Sequence, residues 1–253
     1  MNRRALLRHF VAAACACPVC STIARASDAP HWTYEGHGGP AEWGSLAPEY
    51  GACGMGREQS PVDLSKGIPA MLGDPVVSWQ PMPLEIVNNG HTIQVNCAKG
   101  SKVTLDGKDY ELLQFHFHHP SEHTIDGVAY ALEVHFVHKA AEGGLAVLGV
   151  MFSPGAANTA LETIWRAMPE KAGESVKSDA VIQPMTMLPA DRVTFRYAGS
   201  LTTPPCSEVV SWVVYRQGLT ASAEQIERFA KLFPNNARPV QPLNRRKLLL
   251  DIL

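Results

Sequence analysis

The chain has 253 residues, 45% of them hydrophobic and 18% charged, with a formal net charge of −2. That is enough apolar material for one large domain with its own core. A charge this small, with no basic stripe, gives no footing for nucleic acid.

In chain order, residues 1–26 stand apart. "MNRRALLRHF" carries Arg3, Arg4 and Arg8, "VAAACACPVC" is a short apolar run, and Ala24-Arg25-Ala26 is a small-x-small cleavage site before Ser27. The run is shorter than the ~20 residues that span a bilayer, so the segment is expected to be an export signal and not an anchor. Arg3-Arg4 leaves both the Sec and the twin-arginine routes open. Residues 27–253 are then expected to be one periplasmic or secreted domain, with no membrane insertion once the signal is gone. Cleavage removes four arginines and no acid, which moves the net charge from −2 to −6. Three of the six cysteines remain: Cys53, Cys97 and Cys206. In an oxidising compartment two of them can pair, and spacing does not say which.

Residues 28–70 are rich in Gly and Pro and are expected to be mostly irregular. "LEIV", "NNG" and "HTIQVN" (84–96) read as a hairpin. "KVTL", "DG" and "KDYELLQFHFH" read as a second, turning at Asp106-Gly107. Residues 129–138 and 208–215 read as strands, and 145–152 as one buried on both faces. Two amphipathic helices stand out. Residues 158–168 carry Asn158 as cap and Pro169 as stop. Residues 222–233 carry a Ser222/Gln225 capping box and end at Pro234. Both are expected on the outside of a sheet.

Four of the ten histidines fall within "QFHFHHPSEH", residues 114–123. Residues two apart on a strand share a face. Gln114, His116 and His118 therefore project one way, and Phe115 and Phe117 the other. On the next strand Glu133, His135 and Val137 share a face. An antiparallel pairing would bring His135 opposite His116 and His118. Three imidazoles on rigid strands suit tetrahedral zinc and leave a fourth position for water, the mark of a catalytic site. Nickel, copper or cobalt could also bind three imidazoles. Gln114 and Glu133 stand where they can accept the ligands' second ring proton. The bland alternative for Glu133, a solvated strand carboxylate, is costly in so apolar a run.

At this point the motifs resemble those of the α-class carbonic anhydrases, in their bacterial, exported form. "QFHFHHPSEHTIDG…YALEVHFVHK" is similar to that family's zinc segment, and "GSLTTPPCSEVVSWVV" to its active-site loop and following strand. "REQSPVDL", "IVNNGHTIQV", "HWTYEGHGGPAEWG" and "ARPVQPLNRR" match too, so the likeness runs from about His31 to Arg246. It implies a mainly β (α+β) fold, a central twisted and mostly antiparallel sheet with peripheral helices. It implies an enzyme with one zinc per chain that reversibly hydrates carbon dioxide to bicarbonate by zinc-hydroxide attack, with weak esterase side activity. His116, His118 and His135 would be the ligands. Thr202 would orient the hydroxide and pass its own proton to Glu122. Val137, Val147, Leu201, Val210 and Trp212 would form an apolar wall for carbon dioxide, with Thr203 beside it. His91 would carry the proton out along water lined by Tyr34, Asn89 and Gln94. His123 and Tyr197 match supporting positions, whereas His119 and His138 match no ligand and read as supporting or surface residues. Cys53 and Cys206 would form a disulfide, leaving Cys97 free and buried. One departure is that "HPS" between His118 and Glu122 is shorter than in vertebrate members. Rival readings are a binding protein without catalysis, an ester hydrolase and a zinc store. Oligomeric state is left open, with a homodimer among the options.

Overall fold

The computed structural model describes residues 30–252, so the export-signal reading lies outside the described residues. From His31 onward the chain forms one unit. The strands are β1 (Ile68–Ala70), β2 (Val76–Ser78), β3 (Met82–Asn88), β4 (Ile93–Asn96), β5 (Lys102–Leu105), β6 (Lys108–His118), β7 (Thr124–Ile125), β8 (Val128–Ala129), β9 (Leu132–Lys139), β10 (Leu145–Pro154), β11 (Ser175–Ile182), β12 (Thr194–Gly199), β13 (Val210–Tyr215), β14 (Leu219–Ala221) and β15 (Leu249–Asp251). The helices are α1 (Trp43–Leu46), α2 (Gly51–Met55), α3 (Thr159–Arg166) and α4 (Ala223–Ala230).

All strands but β7 and β8 join one 13-stranded sheet, whose main path runs β1-β15-β12-β13-β10-β9-β6-β4-β3-β11. It is mixed and mostly antiparallel; the parallel pairs are β1–β15, β10–β13 and β10–β14. Both expected hairpins are present. Gly90 takes φ +87° in the first, and Asp106 and Gly107 take φ +51° and +77° in the second. These left-handed values are where Gly and Asp cost least.

Three boundaries differ from the sequence reading. The strand expected from 129 begins at Leu132, because Val128–Ala129 pairs back with Thr124–Ile125 across the Asp126-Gly127 turn. The strand expected from 208 begins at Val210. Short helices and β1 interrupt the stretch expected to be irregular.

The sheet has two different faces. Behind it, Phe115 and Phe117 are fully buried in the main core. Helices α3 and α4 lie on that side, and Trp165 and Phe229 meet the ring of Phe117 edge-on. Both helices start as expected. Asn158 accepts from the backbone N–H groups of Ala160 and Leu161, and Ser222 and Gln225 form the reciprocal box.

β6 holds a feature the sequence reading missed. Tyr110 and Leu112 face the core, and then Phe115 and Phe117 do, so the inward parity switches from even to odd. A bulge between Leu112 and Gln114 makes the switch and leaves Leu113 exposed. Beyond it, His116 pairs directly with His135 and His118 with Glu133.

Cys53 and Cys206 form the disulfide, at a sequence separation of 153. A cross-link closing that loop restricts the unfolded chain by about 5 kcal/mol in the chain-entropy account. Cys97 is free and half-buried, and burial pushes its thiol up to about 12.

Candidate metal centre

Three adjacent strands build the site. β6 presents Gln114, His116 and His118, β9 presents Glu133, His135 and Val137, and β10 supplies Val147 and Gly149. The rings of His116, His118 and His135 have centroids 4.6 to 5.4 Å apart. One nitrogen from each comes within 4.8 Å of the others.

The outward nitrogens are all engaged. His116 Nδ1 donates to Gln114 Oε1 at 2.9 Å, His118 Nδ1 to the backbone carbonyl of Asn236 at 2.7 Å, and His135 Nε2 to Glu133 Oε1 at 2.9 Å. These bonds set each tautomer and leave Nε2, Nε2 and Nδ1 as lone-pair donors toward one point. Two buried atoms mark the same place: His118 Nε2 and Glu122 Oε2 have no hydrogen-bond partner among the described residues. A buried polar atom without a partner is costly, and a cation there removes the cost. The donor set therefore fits a metal with an affinity for neutral imidazole, zinc foremost.

Burial is the main influence on the three rings and disfavours their protonation. It holds His116 well below the usual histidine range, His118 near about 4, and His135 lowered. Neutral rings are the form a metal requires.

Glu133 organises the centre. It is fully buried and accepts four bonds: the backbone N–H groups of Glu122 and His123 (both 2.9 Å), His123 Nδ1 (2.8 Å) and His135 Nε2 (2.9 Å). Burial opposes its ionisation, but His123 and His135 outweigh that and hold the carboxyl well below its usual range. His123 Nε2 meets Tyr197 Oη at 2.6 Å, which extends the network from β9 to β12. Gly149 gives Glu133 its room, since a Cβ there would stand 3.0 Å from Oε1.

Glu122 is equally buried. Burial raises it to about 7, against His135, the Arg238 N–H and the Thr202 side chain, which lower it. Its Oε1 accepts from the Arg238 backbone at 2.8 Å, and its Oε2 lies 3.5 Å from His118 Nε2 and 3.8 Å from His135 Nδ1. A divalent cation at that point favours the carboxylate.

On one side of the site Val137, Val147, Val210 and Trp212 belong to one buried cluster, with Leu201 packed against it. Val147 pairs with Val137 on one side and Trp212 on the other, so the wall follows the register of β9, β10 and β13. The other side is a pocket of about 130 Å³ lined by Tyr34, Asn89, His91, Gln94, Gln114, His116, His118 and Thr203, among others. His91 stands at its rim, stacked on Trp32 with centroids 3.7 Å apart. Burial, and then the charge of His31, lower its pKa from 6.5.

Of the residues expected from the sequence, the pocket brings together Tyr34, Asn89, His91, Gln94, Gln114, His116, His118 and Thr203, while Val137, Val147, Val210 and Trp212 share one buried cluster with Leu201 against it. His119 is at the surface side, with Nδ1 on the Pro234 carbonyl. His138 is a correction: it is neither at the surface nor beside the metal centre. It is fully buried on the opposite face, Nε2 accepting from Trp79 Nε1 at 3.0 Å and Nδ1 donating to the Ala146 carbonyl at 3.2 Å. Asn236, Arg238 and Trp32 were not singled out. The contacts of Asn236 and Arg238 reach over 100 residues away, where no local spacing points to them.

A family model described as eukaryotic-type carbonic anhydrase matches residues 38–251. The chain is 44% identical over 229 residues to a carbonic anhydrase of Pectobacterium carotovorum, covering 89% of this chain and 93% of that one. Against a carbonic anhydrase of Neisseria gonorrhoeae the identity is 41%, with 92% and 93% covered. Among solved structures, the α-carbonic anhydrase of Thermovibrio ammonificans in complex with sulfanilamide superposes with a TM-score of 0.85 at 47% identity, over 87% of this chain and 99% of that one. Dioscorin complexed with ascorbate superposes with a TM-score of 0.80 at 31% identity, over 87% and 97%.

Proposed function

The chain belongs to the eukaryotic-type carbonic anhydrase family and is a lyase of that class, and from that premise we propose that it interconverts carbon dioxide and bicarbonate at one zinc ion held by His116, His118 and His135. The observation that carries this is the set of three free ring nitrogens, each fixed by a bond on the opposite nitrogen. Zinc supplies a Lewis acid that brings the pKa of a coordinated water near 7, a value known for the carbonic anhydrases themselves.

The chain's own groups do the rest. Arg238 holds Glu122 by Oε1, which leaves Oε2 free to accept the Thr202 hydroxyl proton. The Thr202 oxygen is then left with lone pairs only, and it orients the attacking oxygen toward the apolar wall. Val137, Val147, Leu201, Val210 and Trp212 hold a small linear substrate that offers few hydrogen bonds. Thr203 serves the polar side. His91 accepts the released proton through water lined by Tyr34, Asn89 and Gln94, and its lowered pKa lets it give the proton up again. Slow ester hydrolysis follows as a side activity. The Cys53–Cys206 disulfide, with the reading of residues 1–26 as an export signal, supports a periplasmic or secreted site of action.

The test is stopped-flow carbon dioxide hydration by residues 27–253 beside His116→Ala, with zinc quantified in both. Fast hydration with one zinc per chain, both lost in the variant, is the expected result. Zinc without hydration would leave the binding or storage readings. Ester turnover above hydration would favour a hydrolase. The likeness to dioscorin gives this test its point, since a fold alone does not assign an activity.

A further inference from the structure

His91 sits on a turn between β3 and β4, and its backbone carbonyl is bonded to one residue far along the chain. Asn236 is 1% exposed, and all of its polar groups are used. Its side-chain Nδ2 donates to the His91 carbonyl at 3.0 Å and to the Phe117 carbonyl at 2.9 Å. Its Oδ1 accepts from the His119 N–H at 2.7 Å. Its backbone N–H donates to the His119 carbonyl at 3.0 Å, and its backbone carbonyl accepts from His118 Nδ1 at 2.7 Å.

We propose that Asn236 is a positioning residue that ties the His91 turn to the end of β6, so that the proton-accepting histidine and the metal ligand His118 keep one fixed separation. The proposal rests on the shuttle reading of His91 given above. Its geometry is independent of that reading. A single amide spans two carbonyls that belong to different parts of the site, one on the turn and one on the strand. No other residue type of that size offers two donors and an acceptor from one planar group.

The turn has a second tie, and it does not replace the first. Thr92 Oγ1 donates to the same Phe117 carbonyl at 2.5 Å, and Asn89 Oδ1 accepts from the N–H groups of His91 and Thr92. These bonds shape the turn and hold its far end. The His91 carbonyl itself is held by Asn236. With the backbone fixed there, the imidazole, which lines the pocket and stacks on Trp32, is free only about its own side-chain bonds. A proton relay through ordered water needs that constancy, because small misplacement of one partner breaks the relay.

Two variants test this. Asn236→Ala removes the bridge, and Asn236→Asp keeps the size and the Oδ1 acceptor but turns an oxygen toward both carbonyls. Both keep the backbone carbonyl that receives His118. The first readout is amide hydrogen exchange at residues 89–92 in the metal-free protein, expected to be at least tenfold faster in both variants while β9 and β10 are unchanged. The second is kinetic, with zinc bound and little buffer. Here kcat should fall at least fivefold more than kcat/KM, and added imidazole should restore it. Unchanged exchange at 89–92 overturns the anchoring. Faster exchange with kcat and kcat/KM falling together, and no rescue, overturns the positioning role. His91→Ala is run alongside. If it leaves kcat unchanged in low buffer, the shuttle reading fails and the kinetic half of the proposal falls with it, while exchange still decides the anchoring.

Discussion

His135 and His138 lie three residues apart on β9 and face opposite sides of the sheet. Both are fully buried, and burial depresses both, His138 to about 4. On the back face, His138 has both nitrogens satisfied, one by Trp79 and one by the Ala146 carbonyl. On the site face, His135 has Nε2 on Glu133 and Nδ1 facing two other histidines and Glu122. Burial and a lowered pKa therefore do not mark a ligand. A nitrogen left open beside other open nitrogens does. On the site face, His118 Nε2 and Glu122 Oε2 are likewise left without a partner among the described residues, and a cation there would meet them.

The largest expected effect is removal of the open nitrogen. His135→Ala should bind no stoichiometric zinc and lose carbon dioxide hydration, while His138→Gln should keep both. Zinc analysis of the two purified variants decides it, and equal zinc contents would end the distinction between the faces.

Metal removal sharpens the same contrast in stability. A ligand that binds only the folded state stabilises it by about 4 kcal/mol at a thousand times its dissociation constant. Chelation should therefore lower the unfolding free energy by roughly that amount in the wild type and in His138→Gln. In His135→Ala it should do nothing. Denaturant titrations with and without chelator measure this.

Glu133→Gln probes the support beneath His135. Removing an outer partner of this kind costs about 10–100-fold in metal affinity. Competition with a chromophoric chelator should show a loss in that range, and an unchanged affinity would make Glu133 a packing element alone.

A further effect concerns the closed histidine, and its sign follows from linkage. The His138 pKa is depressed in the fold to about 4 and is near 6.5 when unfolded. The unfolded chain thus binds more protons between those values, so stability falls as pH drops from 6.5 through 4. The shift corresponds to roughly 3 kcal/mol. Wild type should lose about that much more than His138→Gln over the window, and parallel pH–stability curves would assign the acid limit elsewhere.

Much of this was legible in one dimension. The alternation of Phe and His at 115–118 and of Glu, His and Val at 133–137 set which side chains share a face, because strand side chains alternate with a period of two. Asn89-Gly90 and Asp106-Gly107 marked their turns, because few other residues accept a positive φ. The caps at Asn158 and Ser222 placed the helix starts. Those signals are local, and physical chemistry acts on neighbours in sequence.

Three things needed the folded chain. The bulge at Leu113 decides that His116 meets His135, and it depends on how β6 pairs with its neighbour, not on its own residues alone. Whether a buried histidine is open or closed depends on what the next strand and a distant loop bring to each nitrogen, which is why His138 was misplaced and His135 was not. Asn236, 118 residues beyond His118, joins β6 to the His91 turn through a single amide. Hydrogen bonding of that kind is fixed by distances in space, and separation along the chain carries no trace of it.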